Sequence, residues 1–180
     1  MHPAPSIIFF TTASGAGYGL LIFAALAGLS GSIPVTTASG LALLVPALLL
    51  VTLGLLSSTL HLGHPERAWR AFSQWRSSWL SREGVAAVVT YVPALAMAWL
   101  WISAQRLAPI AALATVLLSL VTIYCTAMIY ASLKPIPRWH HALVPPVYLA
   151  LGLASGTLLG LALAAWLDGV GTAELLIGLI

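Results

Sequence analysis

A chain of 180 residues in which 61% are hydrophobic and only 6% are charged carries too much apolar surface to fold in water. The mean hydropathy of +1.03 says the same, so lipid is the expected solvent. Seven basic residues, for a net charge of +3, are too few for a nucleic-acid surface, and the lone Cys125 excludes an intrachain disulfide, an iron–sulfur cluster or a structural zinc site.

The expected fold is therefore all-α, a polytopic transmembrane helix bundle in one domain over residues 1–180. A helix needs roughly 20 apolar residues to cross, at a rise of about 1.5 Å each. Five runs meet that length, at about 7–29, 38–60, 84–104, 108–131 and 142–167. In lipid each must close its own backbone hydrogen bonds, which helices do. The start of the chain, Met1-His2-Pro3-Ala4-Pro5-Ser6, has no basic residue, so the first span is expected to be retained rather than cleaved as a leader.

The breaks between spans are readable. Ser30-Gly31-Ser32-Ile33-Pro34 ends the first, and His61-Leu62-Gly63-His64-Pro65 ends the second. Leu133-Lys134-Pro135-Ile136-Pro137 ends the fourth, and Asp168-Gly169 is read as ending the fifth. Residues 171–180 then read as the start of a further helix. Gly152, Gly156 and Gly160 form a ladder of small residues four apart, which lets a neighbouring helix approach closely. Cys125, inside an apolar run, reads as a small packing residue.

The basic residues are unevenly placed. Arg67, Arg70, Arg76 and Arg82 follow the second span and Lys134 and Arg138 follow the fourth, whereas the opposite side receives only Arg106. The positive-inside rule then puts the N-terminus and both basic loops in the cytoplasm. The 61–83 loop also holds Trp69, Phe72, Trp75 and Trp79. From Pro65 onward it reads as a short interfacial helix with these aromatics on one arc at headgroup depth, a surface that also suits docking.

His61 and Glu83 bracket that loop, one closing the second span and the other opening the third. Both sit at one membrane face, where a lipid-soluble quinone headgroup meets water. Quinol oxidation releases two protons and quinone reduction consumes two, so such a site needs hydrogen-bond partners and a proton carrier. Histidine and a partly desolvated carboxyl supply both. The same residues also fit plain structural roles. His61 suits the negative end of its helix, and Glu83 suits the second position of a helix capped by Ser81. His140 and His141 lie on the same side, after Arg138 and Trp139. A haem between histidines is not expected, because none lies deep inside a span.

Several stretches resemble the DmsC family of membrane anchor subunits. They are His2-Pro3-Ala4-Pro5-Ser6-Ile7-Ile8 with Thr11-Thr12, Ser58-Thr59-Leu60-His61-Leu62-Gly63-His64-Pro65 followed by Arg67-Ala68-Trp69, and Leu80-Ser81-Arg82-Glu83. The resemblance covers essentially the whole chain. It implies a subunit that exchanges electrons with ubiquinone or menaquinone and holds an iron–sulfur subunit against the inner membrane. A molybdenum catalytic subunit would complete the complex. In the family, the histidine of the His-Leu-Gly motif and the glutamate opening the third helix are implicated at the quinol site, and these match His61 and Glu83. His64, Arg67, Arg70, Trp75, Arg76, Arg82, Trp139 and His140 are then expected to shape the quinone site or dock the partner. No metal ligand is expected in this chain, since the molybdenum cofactor and iron–sulfur clusters belong to the partners.

The family has about eight helices, against five full spans here. The cytoplasmic bias of the 61–83 loop, and the stretch Ala127-Met128-Ile129-Tyr130-Ala131-Ser132-Leu133-Lys134, resemble the family's sulfite-oxidising branch more than its periplasm-facing dimethyl sulfoxide reductases. Two other readings stand beside the quinone-reactive one. The chain is a passive tether without its own quinone site, or a transporter. The latter is disfavoured, because charged residues sit at the span ends rather than at mid-membrane.

Overall fold

The computed structural model describes residues 5–59 and 65–177. Five long helices run in order: α1 (Pro5–Ser30), α2 (Thr37–Thr59), α3 (Trp79–Ala104), α4 (Pro109–Ala131) and α5 (Val144–Ile177). All five are long and apolar enough to cross a membrane. Between α2 and α3 lies a short 3-10 helix, Pro65–Gln74, at the position expected for the interfacial helix. No strand occurs among the described residues.

α1 is the centre of the bundle and packs on α2, α4 and α5, while α3 pairs chiefly with α4. Small residues make this possible. Lipid tails are as apolar as leucine, so helices associate through close packing and hydrogen bonds rather than through expulsion of water. At the α1–α2 crossing, a Cβ on Gly17 would stand 2.9 Å from the Ala47 carbonyl oxygen, and one on Gly54 would stand 2.8 Å from the Ser14 nitrogen. The glycine ladder of α5 meets α1 in the same way: Gly152 and Gly156 lie against Gly15 and Gly19, and Gly160 sits under the Phe23 ring. The outer faces carry apolar stripes at helical spacing, such as Val88, Val92, Leu95 and Trp99 on α3, which suit contact with acyl chains.

Two expected boundaries differ. α3 begins at Trp79, five residues before the expected start, with Ser78 in extended conformation at its N-cap. Glu83 is therefore the fifth helical residue rather than the second, and Ser81 is a buried residue of the helix rather than its cap. The Trp79 ring explains the earlier start, because it packs edge-on against Tyr124 of α4 at 6.0 Å between centroids. At the other end, Asp168-Gly169 does not stop α5, which continues to Ile177. Residues 171–177 thus extend the fifth helix instead of opening a sixth. A glycine costs a helix only about 1 kcal/mol, too little to break one that is already propagating. By contrast Gly31 does end α1, at a positive φ of 73° that a side chain would disfavour.

The bundle end opposite the aromatic loop is locked by Trp101. Its ring is fully buried, with Gly28 and Gly40 leaving room on either side. The indole Nε1 donates to Ser39 Oγ at 3.1 Å, and Ser39 Oγ donates to the Pro34 carbonyl at 2.6 Å. Replacing Ser39 with Ala strands a buried N–H, which costs about 1–3 kcal/mol. We expect Ser39→Ala to lower the thermal midpoint in detergent while leaving the helical content unchanged. An unaltered midpoint would show that the indole N–H finds another acceptor.

Candidate functional site

α3 starts and α4 ends on the same face as the aromatic loop, and there the two helices bury a carboxyl group. Glu83 is 4% exposed although it stands only one turn from the start of its helix. Thr126 of α4 donates its hydroxyl to Glu83 Oε1 at 2.5 Å. The same hydroxyl lies 3.1 Å from the Thr122 carbonyl oxygen, which gives it a second acceptor one turn back. One turn further into the bundle, the Thr122 and Thr90 hydroxyls meet at 3.2 Å, again between α4 and α3.

Thr115, Ser119, Thr122 and Thr126 are all buried on one stripe of α4. Their spacing of four, three and four residues is that of a single helix face. A span that looks uniformly apolar in composition thus turns a hydroxyl-bearing edge toward the centre of the bundle.

Thr126 also faces a cavity. A space of about 390 Å³ lies between α1, α4 and α5. Its wall is almost wholly apolar, although hydroxyl-bearing residues border it: Thr11, Thr12, Ser14 and Tyr18 of α1, Thr126 of α4, and Tyr148 and Ser155 of α5. Gly15, Ala16, Ile123, Leu151 and Gly152 supply the apolar remainder. The volume falls in the range of small-molecule pockets, as does the mix of apolar wall and a few hydroxyls. Glu83 stands behind this wall rather than in it, and Thr126 connects the two.

Most of the hydroxyls are occupied. Ser14 donates to the Phe10 carbonyl at 2.6 Å, and Thr12 to the Ile8 carbonyl at 2.8 Å, in the usual manner of helical serine and threonine. Tyr18 is different. Its side chain is 2% exposed and its hydroxyl lies beside Thr122, yet no partner sits in hydrogen-bonding geometry. Tyr18, Tyr130 and Tyr148 all lie within electrostatic reach of the Glu83 carboxyl. Tyr130 stacks on Tyr148 at 5.5 Å, and Trp139 meets Tyr130 edge-on at 5.3 Å, so the 132–143 loop folds back over the end of α4 near the cavity.

The remaining expected site residues separate into groups. His140 Nδ1 lies 2.7 Å from the Ala131 carbonyl at the end of α4, and His141 Nδ1 accepts from the Leu143 N–H at 3.1 Å. Both are exposed and engaged locally. Arg82 clamps the turn before α3, its Nε donating to the Trp75 carbonyl at 3.0 Å and its Nη2 to the Arg76 carbonyl at 2.7 Å. Its guanidinium also covers the Trp79 ring. Arg70 and Arg76 are exposed, each over the ring of its own neighbour, Trp69 or Trp75. The Phe72 ring rests on Gly84 of α3, so the aromatic segment is seated against the helix that carries Glu83. His61 and His64 lie outside the described residues, as does the side chain of Arg67. Cys125 is buried and free, and no group of three His, Cys, Asp or Glu side chains could hold a metal among the described residues.

Thr126, Thr122, Tyr18, Tyr130 and Tyr148 were not among the residues the sequence singled out. The α4 hydroxyl periodicity could have found Thr122 and Thr126, whereas no local signal marks the three tyrosines.

The C subunit of the sulfite dehydrogenase of Allochromatium vinosum is 40% identical over 93% of this chain and 57% of its own length. The C component of the anaerobic dimethyl sulfoxide reductase of Escherichia coli is 26% identical over 62% of this chain and 40% of its own. The protein therefore spans about half the length of these relatives. No solved structure matches it. The family model for the DMSO reductase anchor subunit matches residues 1–176, and the protein belongs to that family, DmsC.

Proposed function

We propose that this protein is the membrane anchor of a molybdenum and iron–sulfur oxidoreductase complex, and that it passes electrons from sulfite oxidation to quinone. The observation that carries the reading is the Glu83–Thr126 pair, buried at one rim of the bundle and backed onto a mainly apolar cavity between α1, α4 and α5.

The chemistry follows from those groups. Sulfite and water yield sulfate, two electrons and two protons at the molybdenum subunit. The electrons travel through the iron–sulfur subunit, and quinone takes them up with two protons to become quinol. Once Glu83 is protonated its O–H donates to Thr126 Oγ1 in place of the bond Thr126 otherwise gives it. Glu83 hands that proton to Thr126 as the threonine gives its own to a quinone oxygen, and the second proton follows by the same relay after Glu83 is refilled. Run backward, the same relay accepts protons from quinol. A carboxyl group that is buried yet one turn from the membrane surface can be refilled from the aqueous side. His61, a few residues before the aromatic loop, is the proposed carrier for that refilling.

The aromatic and basic loop is the proposed docking surface for the iron–sulfur subunit, with Arg70, Arg76 and Trp75 exposed on it and Arg82 fixing its last turn. His64, Arg67, Trp139 and His140 belong to the same face in this reading. The excess of Arg and Lys there, against Arg106 alone on the other side, supports a cytoplasmic position for the loops and the N-terminus in the bacterial inner membrane.

The test is made on the assembled complex in membranes. Iron–sulfur clusters reduced by sulfite should be reoxidised on adding decylubiquinone. His61→Ala should slow that reoxidation about tenfold or more, with assembly intact, and normal turnover in this variant would remove His61 from the mechanism. Clusters that stay reduced in a complete wild-type complex would leave only the passive tether.

A further inference from the structure

The cavity between α1, α4 and α5 is walled unevenly. Its back is α4, whose two lining residues, Ile123 and Thr126, are both buried. Toward the rim stands Tyr148, which stacks on Tyr130, and Trp139 of the 132–143 loop meets Tyr130 in turn. Three lining residues are exposed: Thr12 of α1, and Leu151 and Ser155 of α5. None of these belongs to α4, so among the described residues the cavity opens between α1 and α5.

The depth of this opening decides what passes through it. Thr12 stands seven residues into α1 and Leu151 seven residues into α5, each about 10 Å along its helix, and Ser155 lies one turn deeper. Half of the apolar slab is about 15 Å thick, so the opening meets acyl chains rather than water. Its two hydroxyls are turned to their own helices: Thr12 donates to the Ile8 carbonyl at 2.8 Å, and Ser155 to the Leu151 carbonyl at 2.7 Å. The edges are therefore apolar in effect. Beyond them α1 and α5 meet backbone to backbone at Gly19 and Gly156, which closes the gap on its deep side.

A membrane quinone has two unlike parts, a ring with polar oxygens and an apolar tail that stays in the lipid. The ring has its polar station at Thr126, on the buried back wall, and the tail needs an apolar exit at hydrocarbon depth. We infer that the gap between α1 and α5 at Thr12, Leu151 and Ser155 is the entrance by which a quinone slides in from the bilayer ring-first, and that the first part of its tail fills this gap in the bound state. This rests on the quinone-reactive reading above and adds to it a side of entry and the residues that favour tailed quinones. Thr12 and Leu151 act on the tail and take no part in the proton transfer.

The test narrows the gap from both edges in the assembled complex, with Thr12→Phe and Leu151→Trp combined. Both positions are exposed, so the added bulk does not overpack the bundle. The KM for decylubiquinone should rise about tenfold with a smaller change in kcat, because binding is lost while the proton relay is untouched. The KM for the same ring without a tail should change less than twofold, since no tail then has to occupy the gap. Leu158→Trp is the control: it is equally exposed on α5 but does not line the cavity, and it should leave both values alone. An unaltered KM for decylubiquinone, as expected of a gap that holds only bulk lipid, would overturn the inference, and so would an equal rise for the tail-less ring. Should the double variant fail to assemble, photolabelling of the wild-type complex decides the matter, using decylubiquinone with an azide midway along its tail. Label on α1 around residues 8–16 or on α5 around residues 147–158 supports the entrance, and label confined to other segments overturns it. The two readings fail separately. A wild-type complex that exchanges electrons with decylubiquinone, combined with an indifferent double variant, removes the entrance alone. A wild-type complex that exchanges none removes the quinone-reactive reading and the entrance with it.

Discussion

Glu83→Gln is expected to slow quinone-linked electron transfer by about a hundredfold or more in a complex that still assembles. The substitution keeps the shape of the side chain. Its amide oxygen can still accept the Thr126 hydroxyl, so the contact that ties α3 to α4 at the rim survives. What it cannot do is take up and release a proton. If Glu83 were only a packing or helix-end group, the isosteric amide would serve nearly as well. Steady-state turnover with decylubiquinone in membranes, set beside the amount of assembled complex, separates the two. Near wild-type turnover in an assembled Glu83→Gln complex would end the proton-relay role. Thr126→Val gives the companion result. It removes the hydroxyl between cavity and carboxyl without touching Glu83, and a loss intermediate between wild type and Glu83→Gln is expected, since a trapped water can bridge part of the gap.

How much of this the sequence carried is uneven, for physical reasons. The five spans and the glycine ladder were legible because their signals are strong and local: length, hydropathy and a repeat of four. Glu83 stood out because a carboxyl group at a span boundary is rare and costly. Its buried environment was not legible, since that depends on α3 beginning at Trp79, and the start was set by a ring contact with Tyr124 from a different helix. Ser81 was misread as a cap for the same reason. The α5 end was misread because a drop in hydropathy marks where a helix leaves the apolar slab, not where its backbone hydrogen bonds stop. The cavity is the deepest omission. Threonine, serine and tyrosine barely lower the hydropathy of a span, so a count of charges passes over them. The four hydroxyls of α4 are visible only when their positions are read as one face, and Tyr18 only when α1 is known to sit at the centre of the bundle.

Gly156→Val should separate α1 from α5 and abolish the cavity along with them. A Cβ at position 156 would run into the backbone of Gly19 and Leu20, and one at Gly19 would run into the Gly152 carbonyl. Main chain cannot rotate aside as a side chain can, so the helices must part. Because lipid supplies no hydrophobic penalty to hold them together, the lost packing is not recovered elsewhere. Overpacking in a tight core costs about 3 kcal/mol at the upper end of the usual range, and a backbone-on-backbone crossing belongs there or beyond. The expected readouts are a marked fall in the thermal midpoint in detergent and loss of decylubiquinone-dependent turnover. Gly169→Ala is the matched control on the same helix. Among the described residues no atom lies within 4 Å of a Cβ there, so it should be neutral or gain up to about 1 kcal/mol from helix propensity. A Gly156→Val protein that melts with the control and still turns over quinone would show that α1 and α5 do not meet through their glycines. The cavity would then lack the wall that brings Tyr148 and Ser155 to face Tyr18 and Thr126.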